Sequence, residues 1–257
     1  MTKGPAAASG RDLRALARIV TDDRDELPAE GLAPSLLSDL VQLIGCDFLV
    51  FGGTDSGQQV DWFGQTVPAE ADDPTFDDHA FWTHYWDSSC SHPERTGDLR
   101  SLVKVSDFYS ARQWHSTGMY QDCCRPHGIE HELMVCLPAA PGWTAGPGRS
   151  LRLVFIRGPG ADFSGRHHDL LTVLRPHLHH AYFDAERRRH PAPQLTTRQE
   201  ELLRLVAAGH TNAQIARRLG ISEGTVRTHL ENIYRLLQVS SRTAAVTRAF
   251  ADHQRTE

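Results

Sequence analysis

The chain has 257 residues, 40% hydrophobic and 23% charged, a composition typical of a globular protein with one large or two modest domains. It has no apolar run of the ~18–20 residues that a membrane helix needs and no signal-peptide core at its N-terminus, so we expect a cytoplasmic protein with no membrane partner. Its five cysteines have no regular spacing, so we expect free thiols. The net charge of −5 is uneven, because residues 187–257 hold twelve arginines against six acidic residues, a charge of +6, and the remainder carries −11.

The N-terminal part predicts an α+β sensory or dimerisation domain over 11–189, after a disordered tail over 1–10. The predicted elements are, in chain order, a helix at 35–44, a hairpin at 47–52 and 58–64, helices at 76–87 and 110–125, and strands at 131–137 and 151–157 joined by a loop at 138–148. This order predicts an antiparallel sheet.

A long helix is predicted over 164–189, followed by a Pro-rich linker over 190–194. One stripe of the helix carries Leu170, Leu174, Leu178, Ala181 and Ala185. Pro176 within the pattern predicts a kink or a split into two helices.

An aromatic cluster lies in the predicted helix 76–87, and its most prominent members are Phe81, Trp82, Tyr85 and Trp86. These side chains have two interpretations. They line an apolar ligand pocket, or they pack into the core as large aromatic residues commonly do.

Metal and catalytic motifs are weak in this chain. Cys90 and His92, together with Cys123, Cys124 and the later histidines, lack a common zinc spacing. His131-Glu132 begins like a zinc-protease helix but lacks the second histidine, and no Gly-x-Ser-x-Gly elbow is present. We therefore predict no metal, no cofactor and no enzymatic activity.

The C-terminal segment predicts a four-helix DNA-binding domain over 195–257. Its helices are predicted at 198–208, 212–219, 223–237 and 241–251. Thr196 with Gln199 and Thr211 with Gln214 fit capping boxes, Ser222 is an N-cap candidate, and Gly209 and Gly220 fit left-handed C-terminal caps. The short turn 220–222 between two helices is typical of a helix-turn-helix.

The third of these helices has a buried stripe of Val226, Leu230, Ile233 and Leu237 and a polar opposite face. That face is either an ordinary solvated surface or a surface that enters a major groove. On the second interpretation, Arg227, Thr228 and Asn232 contact bases, and phosphates are contacted by Thr211, Asn212, Thr225 and Arg235.

The segment resembles the DNA-binding domain of the LuxR family of bacterial transcription regulators. The resemblance rests on Leu195-Thr196-Thr197-Arg198, Gly209-His210-Thr211-Asn212, Ile221-Ser222, Thr225-Val226-Arg227-Thr228-His229 and Val239-Ser240-Ser241-Arg242. It implies that the 223–237 helix lies in the major groove of double-stranded DNA and that the last helix forms a dimer contact. Gln199, Glu231 and Leu236 depart from the family pattern, and Leu236 replaces a lysine that faces phosphate.

The order of elements in the N-terminal domain resembles a GAF- or PAS-like sensor. The family's autoinducer-binding sensors are the nearest competitor, although Thr66 stands at their usual tyrosine position after Trp62. We predict a homodimeric transcription regulator with a small-molecule effector and a contact with RNA polymerase. The alternative is an N-terminal domain that binds another protein and no small molecule.

Overall fold

Two structural units make up the chain, residues 1–189 and 190–257. The structure, a computed structural model, describes residues 9–22, 24–139, 148–189, 195–237, 239 and 241–250. The expected linker at 190–194, most of the expected tail and most of the 138–148 loop therefore lie outside the described residues. Each unit has its own hydrophobic core.

A five-stranded antiparallel sheet is the centre of the described part of the N-terminal unit. Its strands are β1 (Phe48–Asp55), β2 (Val60–Val67), β3 (Leu102–Lys104), β4 (His131–Pro138) and β5 (Arg149–Arg157), in the order β2-β1-β5-β4-β3. The antiparallel sheet and the α+β class are as predicted. Strand β3 was not predicted, because three residues are too few to show an alternating pattern.

Six α-helices and several single turns accompany this sheet in the described residues. The helices are α1 (Gly10–Thr21), α2 (Pro34–Ile44), α3 (Asp78–His84), α4 (His92–Thr96), α5 (Ala111–His115) and α6 (Gly165–Arg189). None of the helices in the described ranges is long and apolar enough to cross a bilayer.

The two faces of the sheet bury different partners, because successive side chains of a strand point to opposite faces. On one face, Leu49 and Phe51 of β1 and Leu153 of β5 join a core with side chains of α1, α2 and α6. On the other face, Val50 and Val154 pack with the segment that contains α3 and α5. This second face is less tightly filled and borders a cavity.

The helix α6 runs unbroken through Pro176, so of the predicted kink or split, the split into two helices does not occur. A proline removes one backbone hydrogen bond, and burial of the helix against the sheet offsets that loss. Of the predicted stripe, Leu170, Leu174 and Leu178 are fully buried in the N-terminal core.

Two helical predictions in the N-terminal unit need correction. Helix α1 was not predicted, although the capping box of Ser9 with Asp12 at its start is a local signal. This helix buries Asp12 against Arg166 of α6 and leaves Leu13 exposed. The helix expected over 110–125 ends at His115 and gives way to a π-type turn over Met119–Cys124. Between them lies Gly118, where a Cβ would stand only 2.2 Å from Cε1 of His84.

The C-terminal unit contains the four predicted helices, namely α7 (Thr197–Ala207), α8 (Asn212–Leu219), α9 (Glu223–Leu236) and α10 (Arg242–Phe250). Both predicted capping boxes are present, and the side chain of Ser222 caps α9. Gly209 and Gly220 have φ angles of 81° and 65°, which only glycine adopts at little cost. The local chemistry of these turns therefore matches the sequence pattern closely.

Candidate DNA-binding face and N-terminal cavity

The helix α9 presents a continuous polar face to solvent. Val226, Leu230 and Ile233 are buried in the C-terminal core, as the predicted stripe requires. The opposite side carries five of the predicted DNA contacts, all exposed: Thr225, Arg227, Thr228, Asn232 and Arg235. The core contacts thus hold the helix in one orientation and leave this polar face open.

Local hydrogen bonds order several of these side chains. The Thr225 hydroxyl lies 2.8 Å from that of Ser222, and the Thr228 hydroxyl donates to the carbonyl of Gly224 at 3.1 Å. Arg235 donates to the side-chain oxygen of Asn232 at 3.3 Å. Such contacts reduce the rotamer freedom that would otherwise be lost on binding.

The start of α8 is tied to the start of α10. The guanidinium of Arg242 donates to the backbone carbonyl of His210 and, at 3.1 Å, to the side-chain oxygen of Asn212. Thr211, the N-cap of α8, accepts from the backbone N–H of Gln214. Because the side-chain oxygen of Asn212 accepts from Arg242, its amide nitrogen is the group that can donate a hydrogen bond to a binding partner.

A cavity of about 640 Å³ lies against the second face of the sheet in the N-terminal unit. Its apolar walls include Phe48, Val50, Phe76, Phe81, Ile129, Met134, Val154 and Ile156. Its charged lining consists of Asp61, Asp72, Asp73, Asp78, His127, Glu132 and Arg152. The volume and the apolar walls are typical of a small-molecule site.

Arg152 forms a buried polar cluster at one end of this cavity. Its guanidinium donates to a carboxylate oxygen of Glu94 and to the Tyr85 hydroxyl, and both members of the Arg152–Glu94 pair are buried. Burial raises the pKa of Tyr85 well above its usual range, so this phenol stays protonated. The cluster stabilises an arginine on a strand whose flanking residues, Leu151 and Leu153, are fully buried.

Glu132 lies at the other end of the sheet face. It pairs with Ile156 in the β4–β5 register, whereas Arg152 pairs with Cys136, four residues along the strand. Its half-buried side chain lines the cavity, so the area that it exposes opens into the cavity. Desolvation raises the pKa of Glu132 to about 7, an effect that the Cys124 thiol partly offsets.

The four aromatic residues predicted to bind a ligand have different positions. Phe81 lines the cavity. Tyr85 is fully buried beside Arg152, Trp82 is half-buried, and Trp86 is exposed. Neighbouring ring centroids lie 4.9–5.2 Å apart, as in Trp82–Tyr85, Tyr85–Trp86 and Phe81–Trp82. Phe81 therefore fits the pocket interpretation and the buried Tyr85 the core interpretation, whereas the exposed Trp86 fits neither.

Sequence reasoning missed the two charged residues of the sheet face, Glu132 and Arg152. A signal for both was present, because each is a charged residue directly before an uninterrupted apolar run, 133–137 for Glu132 and 153–156 for Arg152. For the metal site considered from the cysteine and histidine spacing, the described ranges contain no group of three or more His, Cys, Asp or Glu side chains arranged to hold a metal ion. Burial raises the pKa of Cys90 to about 12 and that of Cys123 to about 11, which makes these thiols poor nucleophiles.

Comparison with known proteins gives matches of two kinds. Residues 193–249 match the family model described as bacterial regulatory proteins, luxR family. Over 78 residues the chain is 46% identical to the probable transcriptional regulatory protein SgaR of Hyphomicrobium methylovorum, covering 30% of this chain and 37% of that protein. Over 51 residues it is 53% identical to the putative HTH-type transcriptional regulator YhjB of Escherichia coli, covering 20% of this chain and 26% of that protein. The chain thus spans well under half the length of these relatives.

Solved structures resemble a much larger part of the chain. The crystal structure of Escherichia coli SdiA aligns with a TM-score of 0.50 and 18% identity, covering 96% of this chain and 98% of that one. SdiA in complex with octanoyl-rac-glycerol aligns with a TM-score of 0.51 and 17% identity, covering 94% of this chain and 93% of that one. At these identities the likeness concerns the fold.

Proposed function

Because residues 193–249 belong to the luxR family of bacterial regulatory proteins, we propose that this chain is a sequence-specific, DNA-binding regulator of transcription. The observation that carries the proposal is the exposed polar face of α9, held in place by a buried apolar stripe. A helix with this surface fits the major groove, where each base pair presents a distinct pattern of donors and acceptors. The proposal includes no enzymatic role.

On this proposal, base edges are read from α9. Arg227 has the fork of donors that suits guanine, the Thr228 methyl suits thymine, and the Asn232 amide suits adenine. Arg227 is exposed and forms no hydrogen bond or ion pair with another described residue, so it is available to DNA without breaking an internal contact.

Phosphate contacts come from residues near the helix starts and from Arg235. Thr211, Asn212 and Thr225 stand at or beside the N-termini of α8 and α9, where backbone N–H groups and the helix dipole favour anions. The amide nitrogen of Asn212, left over by Arg242, is suited to donate to a phosphate oxygen. Such contacts fix register and carry no sequence information.

The recognition role of Arg227 is tested in the full chain by selecting binding sites from a random DNA pool. Arg227→Ala should weaken binding to the selected site by about 1–3 kcal/mol and relax preference at one base pair. The control is Arg204→Ala, which removes an exposed arginine paired with Glu200 on α7 and should leave selectivity unchanged. Unaltered selectivity in the Arg227→Ala chain would contradict the proposed role.

The N-terminal unit is proposed to sense a small molecule and to mediate homodimerisation. The cavity of about 640 Å³ supports sensing over the alternative of a pure protein-interaction module. A similar fold, SdiA, forms a complex with octanoyl-rac-glycerol. The same proposal includes three details: the domain is GAF- or PAS-like, α10 forms the dimer contact, and the protein contacts RNA polymerase.

Native mass spectrometry of the full chain tests the sensory role. A dimer mass that exceeds twice the denatured mass would support a retained effector. A clean dimer would shift support towards control by a protein partner, and a monomer would contradict the dimeric regulator.

A further inference from the structure

The cavity of the N-terminal unit has an uneven charge balance. Its two basic lining residues are already paired, Arg152 with Glu94 and His127 with Asp73 at 2.7 Å. The other carboxylates of the lining, none of which joins an ion pair with a described residue, are Asp61, Asp72, Asp78 and Glu132. The first three are exposed and therefore lie at the entrance of the cavity, whereas Glu132 is half-buried and its exposed area opens into the cavity.

Glu132 lacks a strong partner inside the protein. Its Oε1 atom lies 3.8 Å from the Cys124 sulfur, and a thiol is a weak donor. No cationic neighbour contributes to its pKa, which burial raises. An enclosed carboxylate of this kind is unfavourable until a proton, a cation or a hydrogen-bond donor reaches it.

Strand register places apolar surface directly beside this carboxyl group. Glu132, Ile156 and Phe48 form one row across β4, β5 and β1, and Met134, Val154 and Val50 form the next row on the same face. The two rows are about 7 Å apart along the strands. An apolar ligand body that lies over the second row therefore ends against Glu132.

We propose that the cavity takes an amphipathic amine, whose apolar body packs on Val50, Val154 and Met134 and whose ammonium group pairs with Glu132. The inference rests on the sensory part of the proposed function and specifies the class of effector. An ammonium group supplies both charge and donors to an enclosed carboxylate. A carboxylate-bearing ligand of equal shape would meet Glu132 and the acidic entrance with like charge, and a neutral alcohol would offer a single hydrogen bond.

The test compares three probes of equal chain length on the full chain by isothermal titration calorimetry at about pH 8, where Glu132 is mostly ionised: decylamine, 1-decanol and decanoate, each below its micelle concentration. Decylamine should bind about 30-fold more tightly than 1-decanol, as expected for a desolvated charge pair, and decanoate should bind most weakly. Glu132→Gln should lower decylamine affinity to about that of 1-decanol and change 1-decanol affinity far less, because the glutamine side-chain oxygen still accepts the hydroxyl hydrogen bond.

Two further variants locate the effect. Glu70→Gln removes an exposed carboxylate that does not line the cavity. This variant should keep the preference for decylamine, a result that would exclude a general attraction of the ammonium group to an acidic protein. Val154→Trp fills the cavity floor and should abolish binding of both decylamine and 1-decanol.

The outcomes separate this inference from the proposed function. Equal affinity for decylamine and 1-decanol, or a preference that survives Glu132→Gln, would overturn the amine and leave the cavity as a ligand site. Absence of binding by all three probes would overturn the amine and also count against small-molecule sensing. Neither result bears on DNA recognition by α9, which the Arg227→Ala experiment tests by itself.

Discussion

Glu132 makes the stability of the N-terminal unit depend on pH. Its pKa rises from 4.5 to about 7 on folding, so the folded protein keeps a proton that the unfolded chain releases across this interval. Its contribution to the unfolding free energy is therefore fully present below pH 4.5 and is lost as the pH rises through about 7. His167 acts in the opposite direction, because burial lowers its pKa to about 4 and its contribution is lost as the pH falls.

The Glu132→Gln variant should separate these two effects. Between about pH 4 and pH 8, its unfolding free energy should rise relative to wild type by up to about 3 kcal/mol, because glutamine does not titrate while His167 is unchanged in both chains. Urea denaturation followed by tryptophan fluorescence measures this unit alone, since all five tryptophans precede residue 190. A difference between the two chains that stays constant with pH would contradict the raised pKa.

Single residues of the cavity were harder to predict than those of α9. The polar face of α9 follows from one helix period, so Arg227 and Thr228 could be placed from sequence alone. Glu132 and Arg152 share a sheet face only because β4 and β5 pair in a particular register, and a single strand sequence does not give that register. The partner of Arg152, Glu94, is remote in sequence and has no local pattern.

At the scale of elements, Arg242 links α10 by hydrogen bonds to the start of α8 in the C-terminal unit. Its guanidinium bonds the His210 carbonyl and the Asn212 side chain, both at the start of α8. Hydrogen bonds to a charged group contribute about 1.5–3 kcal/mol each, and an unpaired partner adds a desolvation cost. The placement of α10 therefore depends on these bonds together with the apolar packing of Ala245 in the C-terminal core.

Arg242→Met should loosen α10 while its apolar chain keeps much of the local packing. We expect hydrogen–deuterium exchange in α10 and in residues 209–212 to accelerate by about tenfold or more, the equivalent of at least 1.4 kcal/mol. The matched control is Arg217→Met, because Arg217 is exposed and its one described bond, at 3.5 Å, is to Ala213 of its own helix. Equal exchange in the two variants would show that Arg242 does not hold α10.

Elements defined by local signals could be predicted, and those that depend on distant contacts could not. The capping boxes of α7 and α8 are local, and both predicted helices are present. The helix α1 also has a local signal, the capping box of Ser9 with Asp12, which was overlooked. The segment after α5 involves a distant residue, because a Cβ at Gly118 would lie 2.2 Å from Cε1 of the His84 ring. Tertiary contacts of this kind override a helical pattern.

At the scale of the whole molecule, charge is divided between the ends of the chain. Residues 187–257 carry +6 and the remainder −11. The basic end attracts phosphates and the acidic end repels them, so binding to DNA should weaken steeply with salt as counterions return to the duplex. A flat response in a salt titration would argue against phosphate-dominated binding.

Leu236 offers a direct test of this balance. It stands on α9 where the family carries a lysine, and it is 37% exposed, so a lysine fits there without disturbing the core. Leu236→Lys should tighten binding of the full chain to its selected DNA site and steepen the slope of log K against log salt by about 0.9, the value for one more phosphate contact. Leu236→Gln, polar but uncharged, should leave the slope unchanged, and equal slopes for the two variants would place this position away from the DNA backbone.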